Sequence, residues 1–235
     1  MRFKHLIGIL GICVLPNLVL AQREKPENLP KFDNKWVHFG FQLGLSQNGF
    51  GISNDLTKSD SLIKLEVVKQ PGFIIHVVSE LHAGPYFGLR FTPGIAFASR
   101  NLEYTFYGQT IPKVKTIEST FIEAPVLLKY RSQRINNFAH YVMTGFSYSF
   151  DLASQQNADN TVDQAGELIV KLKPQNYNIE VGFGFDFFLE YFKFSPELKF
   201  SYGVNNIIKQ ENTIYSAPVT DLHSRIFIFS LNFEG

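Results

Sequence analysis

The chain has 235 residues, of which 45% are hydrophobic, 15% aromatic and 18% charged, and its formal net charge is +1. A near-neutral charge argues against a broad basic surface for nucleic acid, and the high apolar fraction argues against disorder. The length suits one all-β domain with a substantial core.

Residues 1–21 have the pattern of a secretory signal peptide. A basic start is followed by an apolar run and a small residue, Ala21, before a polar stretch. The run is interrupted and falls short of the about 20 apolar residues that a membrane-spanning helix needs. We therefore predict cleavage after Ala21, a periplasmic leader over residues 22–35 and one domain over residues 36–235.

The only cysteine, Cys13, lies inside this predicted signal peptide. The bulky Ile12 precedes it, whereas a lipoprotein cleavage site has a small residue there, so lipidation is disfavoured. The mature chain is then free of cysteine, which excludes thiol catalysis. An exported protein without disulfides must be stabilised by packing or by a membrane.

From Trp36 onward, apolar residues recur at every second position, which is typical of strands rather than helices. Eight segments follow this period: residues 37–45, 67–78, 86–97, 122–130, 138–150, 179–187, 192–202 and 224–233. Proline lacks a backbone donor and is tolerated inside a closed sheet only where the ladder is irregular. We therefore predict bulges at the three prolines within these segments, Pro93, Pro125 and Pro196.

The connections alternate between short and long. The short ones are residues 79–84, 131–137 and 189–191, and the long, polar ones are residues 46–66, 98–116, 151–172 and 204–222. Such alternation with an even number of strands is typical of outer-membrane barrels. The predicted fold is all-β, an eight-stranded antiparallel up-and-down transmembrane β-barrel with short periplasmic turns and long extracellular loops, located in the outer membrane.

Alternation alone does not decide which face is outside, because a soluble lipocalin-like barrel has an apolar interior that binds a ligand. Here the polar face carries glycines such as Gly40, Gly88 and Gly182 among scattered charges, which suits a crowded lumen better than a solvated surface. The other face is mostly Phe and Leu, with tyrosines near strand ends where an aromatic girdle would lie: Tyr130, Tyr148, Tyr191 and Tyr202. We therefore expect the apolar rows to face lipid.

The polar face carries four acidic and four basic residues: Arg90, Glu123, Lys129, Glu180, Asp186, Lys193, Glu197 and Lys199. An unpaired buried charge costs several kcal/mol, so equal numbers of each sign favour a structural network of ion pairs that fills the lumen. A second interpretation is that some of these groups, near the periplasmic mouth, bind a partner protein.

Several blocks resemble one family of bacterial outer-membrane proteins. They are HFGFQLGL (residues 38–45), LRFTPGIAF (89–97), EAPVLLKYRSQRINN (123–137), EVGFGFDFFLEYFKFSPELKFSYG (180–203) and the closing NFE (232–234). Together they are similar to the PorT family of Bacteroidota, called SprT in gliding species. The resemblance implies an outer-membrane barrel required for type IX secretion, which exports proteases, adhesins and gliding-motility components. It supplies no catalytic residues.

No pattern in the chain predicts a catalytic, cofactor or metal site. The six histidines have no pair at metal-ligand spacing, and one of them, His5, lies in the predicted signal peptide. A lipid-modifying enzyme could place Asp221, His223 and Ser224 at the long-loop rim, and we give this interpretation little weight. We expect neither a cofactor nor a small-molecule substrate, and no nucleic-acid partner.

A packed eight-stranded lumen is too narrow for a cargo protein. The lumen thus predicts that the protein is not itself the pore, and the resemblance implies an accessory or assembly component of type IX secretion, and of gliding motility where that is present. Its expected partners are outer-membrane lipids and other secretion components. The alternative is a barrel that binds an apolar ligand or an adhesive surface barrel.

Overall fold

The computed structural model describes residues 26–55, 61–154, 170–211 and 213–235. Within them, one 3-10 helix, Phe32–Asn34, precedes nine strands. The strands are β1 (Val37–Asn54), β2 (Leu62–His82), β3 (Phe87–Phe91), β4 (Gly94–Phe106), β5 (Lys113–Arg131), β6 (Phe138–Asp151), β7 (Gln175–Phe188), β8 (Lys193–Gly203) and β9 (Val219–Glu234). None of the helices in these ranges is long and apolar enough to span a membrane. The predicted signal peptide, residues 1–21, lies outside them.

The strands close into an antiparallel ring of eight positions. Apart from β3 and β4, consecutive strands pair with each other, and β1 pairs with both β2 and β9, which closes the barrel. The prediction of eight strands is wrong by one, because β3 and β4 share a single position between β2 and β5. They are separated at Thr92 and Pro93, where the proline cannot donate a ladder hydrogen bond.

The predicted bulges at Pro125 and Pro196 are wrong. The β5–β6 pairing runs through Pro125↔Ser147, and the β8–β9 pairing through Pro196↔Leu231, without a register shift. Pro125 lies opposite the gap between β3 and β4, where the ladder is already open, so its missing N–H breaks no further pair. The bulge near a proline is elsewhere, between Lys69 and Gly72 of β2.

The alternation of short and long connections holds for two of the four predicted long loops, because the other two are mostly strand. The short turns are residues 83–86, 132–137 and 189–192, and they define the short-turn end of the barrel. The opposite, long-loop end has connections 55–61, 107–112, 152–174 and 204–218. Much of the predicted loops 46–66 and 98–116 therefore belongs to β1, β2, β4 and β5, which extend well past the shorter β6, β7 and β8.

The apolar rows face outward, as predicted. Phe39, Leu45 and Phe146 are 64%, 65% and 71% exposed, whereas His38 and Gln42, on the other face of β1, are fully buried. A lipocalin-like barrel requires the reverse arrangement along these strands, so that alternative is wrong. The outer face is instead the surface that a bilayer would cover.

The height of this outer face matches a bilayer. On β7 the outward row runs from Phe187 to Tyr177. At about 3.3 Å per residue and a strand tilt of about 40°, the row covers roughly 25 Å of membrane thickness. Exposed aromatic residues lie at both edges: Trp36, Tyr86, Tyr130 and Tyr191 at the short-turn end, and Tyr148, Tyr177 and Tyr202 at the long-loop end.

Candidate functional site: a closed lumen

Arg90 of β3 is the centre of a buried ion-pair cluster in the lumen. It lies directly opposite Glu80 of β2 and donates from Nε to Glu80 Oε2 at 2.7 Å. Its Nη1 donates to Glu197 Oε2 of β8 and its Nη2 to Glu234 Oε1 of β9, both at 2.9 Å. Alternation points all four side chains inward, so one guanidinium ties together strands from opposite sides of the ring.

Lys129 and Lys193 complete this cluster from β5 and β8. Lys129 Nζ lies 3.0 Å from Asp186 Oδ2, and Lys193 Nζ lies 3.0 Å from Glu234 Oε2. The Tyr141 ring lies 3.9 Å from Lys129 Nζ, and its hydroxyl donates to Glu197 Oε2 at 2.9 Å. No open channel is left between these side chains, because all of them are buried and bonded across the lumen.

A second level lies further toward the long-loop end. Lys199 Nζ is 3.3 Å from Glu180 Oε2 and 3.9 Å from Glu197 Oε1. Glu123 lies 3.3 Å from His76 Nε2 and accepts a hydrogen bond from Ser149 Oγ at 3.4 Å. The cationic neighbour of Glu123 is thus a histidine, whereas the other three predicted acids, Glu180, Asp186 and Glu197, each pair with a lysine or an arginine.

All eight residues of the predicted charge network are therefore buried on the inner face. The predicted balance of four against four is incomplete, because the described strands bury seven acids (Glu80, Glu123, Asp151, Glu180, Asp186, Glu197 and Glu234) and six bases (Arg90, Arg100, Lys129, Arg131, Lys193 and Lys199). Sequence reasoning missed Glu80 because it fell in a predicted turn, and Glu234 because it lies one residue before the chain's end.

Above the ion pairs, the lumen changes to an apolar core. Arg100 marks the boundary, with its guanidinium carbon 4.8 Å from the Phe50 ring centre and 4.9 Å from that of Phe121. Beyond it a buried cluster fills the barrel: Phe50, Leu62, Leu102, Tyr104, Phe106, Val170, Leu172, Ile207, Ile208, Tyr215, Val219 and Leu222. This cluster, the long-loop core, was not predicted.

Described residues of the connections 152–174 and 204–218 cover the long-loop core. The Tyr215 ring meets the Tyr104 ring edge-on at 4.9 Å between centres, and Tyr104 Oη donates to the Tyr215 carbonyl at 3.1 Å. Lys171 pairs with Glu211 at 2.7 Å. The sequence does contain a signal for this core, namely a switch in which alternate positions are apolar. In β1 the apolar residues occupy outward positions up to Leu45 and inward positions from Phe50.

Residues 26–35, the described part of the predicted leader, close the short-turn end. Phe32, in the 3-10 helix, is 3% exposed and inserts into the barrel mouth. Its ring stacks on His38 at 3.7 Å, meets Phe188 edge-on at 5.7 Å and lies 4.9 Å from Lys193 Nζ. Phe32 thus joins the leader to the lower edge of the ion-pair cluster.

Polar contacts hold the same segment to the turn at residues 132–137. Asp33 lies 2.7 Å from Arg131 Nη2 and 3.3 Å from Arg134 Nη1. Burial raises the pKa of Asp33, but the charges of Arg131 and Arg134 outweigh it and hold the pKa below its ordinary value. Asn28 N donates to Asn137 Oδ1 at 2.8 Å, and Arg134 also donates to the Asn28 carbonyl.

The residues weighed for lipid chemistry do not converge. Ser224 points inward and accepts a hydrogen bond from Asn176 Nδ2 at 2.9 Å. His223 faces the other way, with Nδ1 3.0 Å from the Gly203 carbonyl, and Asp221 accepts from Asn206 Nδ2 at 2.9 Å. Among the residues that the structure describes, no group of three or more His, Cys, Asp or Glu is placed to hold a metal ion.

The sequence profile of one family, described as "Outer membrane protein beta-barrel domain", matches residues 20–209. Three solved structures are similar. The outer membrane protein OprG from Pseudomonas aeruginosa is 14% identical, with a TM-score of 0.48 over 85% of this chain and 94% of that one. Neisserial surface protein A is 10% identical, with a TM-score of 0.42 over 83% and 96%. The attachment invasion locus protein Ail of Yersinia pestis is 9% identical, with a TM-score of 0.39 over 86% and 100%. No curated protein matches the chain.

Proposed function

Since the chain belongs to the outer membrane protein β-barrel domain family, we propose that it is a non-enzymatic accessory or assembly component of type IX protein secretion and not the translocation pore. The short-turn end then faces the periplasm and the long-loop end the outside, as in other outer-membrane barrels. In gliding species the same role extends to motility.

The closed lumen is the observation that supports the claim that the protein is not the translocation pore. Three successive layers block it: Phe32 at the short-turn end, the ion pairs around Arg90, and the long-loop core around Leu102. Breaking the ion-pair layer would leave several buried charges without partners, at a cost of several kcal/mol. A cargo protein therefore has no route through this barrel, and any role in export is exerted from its surfaces.

The proposed accessory role in type IX secretion rests on the resemblance of five sequence blocks to the PorT family. Two of the blocks contain structures that face the proposed periplasmic side, namely the turns at residues 132–137 and 189–192. The first of these turns binds the leader through Arg134 and Asn137. The leader and this turn thus offer one composite surface to periplasmic machinery, with the exposed Tyr191 on the neighbouring turn.

Deletion of the gene in a host with type IX secretion tests the role in export. We expect cargo proteins to accumulate in the periplasm, and the full-length gene supplied in trans to restore their export. Export at the normal level in the deletion strain would refute the proposal.

Planar-bilayer recordings of the purified full chain test the closed lumen separately. We expect no steady conductance at neutral pH, with an open outer-membrane porin in the same bilayers as the positive control. A reproducible ohmic conductance would show that the lumen opens, and it would remove the argument against a pore.

One observation favours a second candidate, an adhesive surface barrel. The connection between β4 and β5 is the tip of the extended strands and carries two exposed side chains, Tyr107 (83%) and Ile111 (79%). An apolar tip projecting outside the membrane suits attachment to a surface. Normal export together with loss of cell attachment in the deletion strain would favour this candidate over the secretion role.

A further inference from the structure

Two cations, Lys69 and Arg225, flank Gly49 of β1 at the long-loop edge of the outer face. Gly49 of β1 is paired with Arg225 of β9, which is paired in turn with Tyr202 of β8. On the other side of Gly49 is Lys69 of β2, one residue beyond the last β1–β2 pair, Asn48↔Gln70. The row Lys69, Gly49, Arg225 and Tyr202 therefore crosses four adjacent strands.

The side chains of this row lie over aromatic rings. Lys69 leans across Gly49, where an added Cβ would be 2.9 Å from Lys69 Cγ, and its Nζ is 5.2 Å from the centre of the Phe227 ring. The Arg225 guanidinium carbon is 5.8 Å from the Tyr202 ring centre. Within the described part of the chain, neither cation has a carboxylate partner.

An apolar groove begins directly beneath the two cations. Its volume is about 710 Å³, and it runs down the outer wall from β1 across β9, β8 and β7 to Val142 of β6. Its upper end includes Gln47 and Phe227, which are paired one outward position below Gly49 and Arg225. Its walls are side chains of the lipid-facing surface: Leu45, Val181, Phe183, Leu198, Phe200 and Phe229.

We propose that this arrangement is a binding site for one anionic phospholipid of the leaflet at the long-loop end. The headgroup phosphate lies between Lys69 and Arg225, and an acyl chain occupies the groove below. An arginine suits the planar recognition of phosphate oxygens, and a lysine adds a compact charge. Gly49 is required because any side chain there would displace Lys69. The site is independent of the export role, since it uses only the outer wall.

Charge complementarity favours an anionic lipid over a lipid that contributes only its acyl chain. Any lipid can cover the apolar wall, but only an anionic headgroup pairs with two cations that have no carboxylate partner in the described chain. Basic residues near a membrane surface contribute about 1 kcal/mol each to binding of anionic lipid. Two of them correspond to a roughly 30-fold preference for an anionic over a zwitterionic lipid of the same chain length.

Native mass spectrometry of the full chain in detergent tests the proposal with two probes, dioleoylphosphatidylglycerol and dioleoylphosphatidylcholine. We expect one phosphatidylglycerol to bind with the larger affinity, and the double variant Lys69→Gln, Arg225→Gln to lose about 30-fold. The matched control is Lys64→Gln, Lys113→Gln, which removes the same charge from other strand positions at the long-loop end and should bind as the unaltered chain does. Equal binding by all three chains would overturn the proposal.

Two further arms test the parts of the site separately. Leu198→Trp fills the groove without a change of charge, so it should weaken phosphatidylglycerol binding. Undiminished binding would refute the proposal that an acyl chain occupies the groove. Inorganic phosphate at millimolar concentration should not displace the lipid, whereas full displacement would show an anion site alone and overturn the lipid assignment. Each variant is first checked for the heat-dependent gel shift of a folded barrel, and Arg225→Lys, which retains the charge, should keep most of the lipid preference.

Discussion

Arg90→Met tests the lumen network most directly. The substitution keeps much of the side-chain volume and removes the guanidinium that contacts Glu80, Glu197 and Glu234. Removing one partner of a buried ion pair costs about 3–5 kcal/mol because the other charge is left in an environment of low polarity. Three carboxylates contact Arg90, and each keeps another cationic neighbour when Arg90 is removed.

Those remaining partners set the magnitude. Glu80 keeps Lys129 at 3.4 Å, Glu234 keeps Lys193 at 3.0 Å, and Glu197 keeps Lys199 at 3.9 Å. The loss should therefore correspond to one broken pair rather than three, a reduction of about 4 kcal/mol in the free energy of unfolding. For a chain of this size that is a fall of roughly 10 °C in the unfolding midpoint.

The assay is thermal unfolding of the full chain in detergent at neutral pH and one fixed heating rate, followed by circular dichroism and by the gel shift of unboiled samples. The matched control is Arg225→Met, an outward arginine without a carboxylate partner among the described residues, which should change the midpoint by less than about 2 °C. Adding Glu197→Gln to Arg90→Met should recover part of the loss, since it removes one of the stranded charges. An unchanged midpoint for Arg90→Met would refute the conclusion that the network supports the fold.

Two further predictions concern the ends of the barrel. Because the pKa of Asp33 is lowered when the leader is docked, its contacts stabilise docking above the ordinary carboxyl pKa of about 4 and lose that contribution as the pH falls through the lowered value. Asp33→Asn should therefore speed amide exchange at Phe32 about fivefold at pH 7, and the difference from the unaltered chain should shrink toward pH 3, whereas equal exchange at pH 7 would contradict the clamp. Leu102→Ala, at a fully buried position, should cost the long-loop core about 3 kcal/mol and speed proteolysis within residues 204–218, while the exposed Val114→Ala should leave it unchanged. Equal proteolysis of the two variants would show that the loops are held by other contacts.

The outward rows and the ring were predictable because period-two alternation is a local property of the sequence. Phe39, Phe41 and Leu43 share one parity, and only a lipid-facing wall combines such a row with a glycine-containing opposite face. The break at Pro93 was harder to predict, because a missing donor can produce a bulge, a gap or no disturbance. Pro125 shows the last case, since its neighbour across the ladder was already interrupted.

The closures at both ends could not be read from alternation, because they depend on contacts between distant segments. Phe32 lies outside any strand pattern, and its partners His38, Phe188 and Lys193 come from three different strands. The long-loop core was hidden for a different reason. Past the membrane edge the outer face meets water, so the apolar residues occupy the inward positions instead. A pattern that assumes the same facing along the whole strand therefore assigns Leu102 and Tyr104 to a loop.

Along the strands, apolar residues switch from outward to inward positions at one level, and that level fixes the position of the bilayer. Lys69 of β2 is paired with Arg100 of β4, so the outer row of cations and the inner boundary of the long-loop core lie at the same height. The outer face changes from apolar to charged where the inner face changes from charged to apolar, as expected if lipid covers the strands only below this level. The ion-pair layer around Arg90 then lies within the membrane and the long-loop core outside it. A protein passing through the lumen would have to cross both layers, so the faces left for function are the outer wall, the extended strands and the short-turn end.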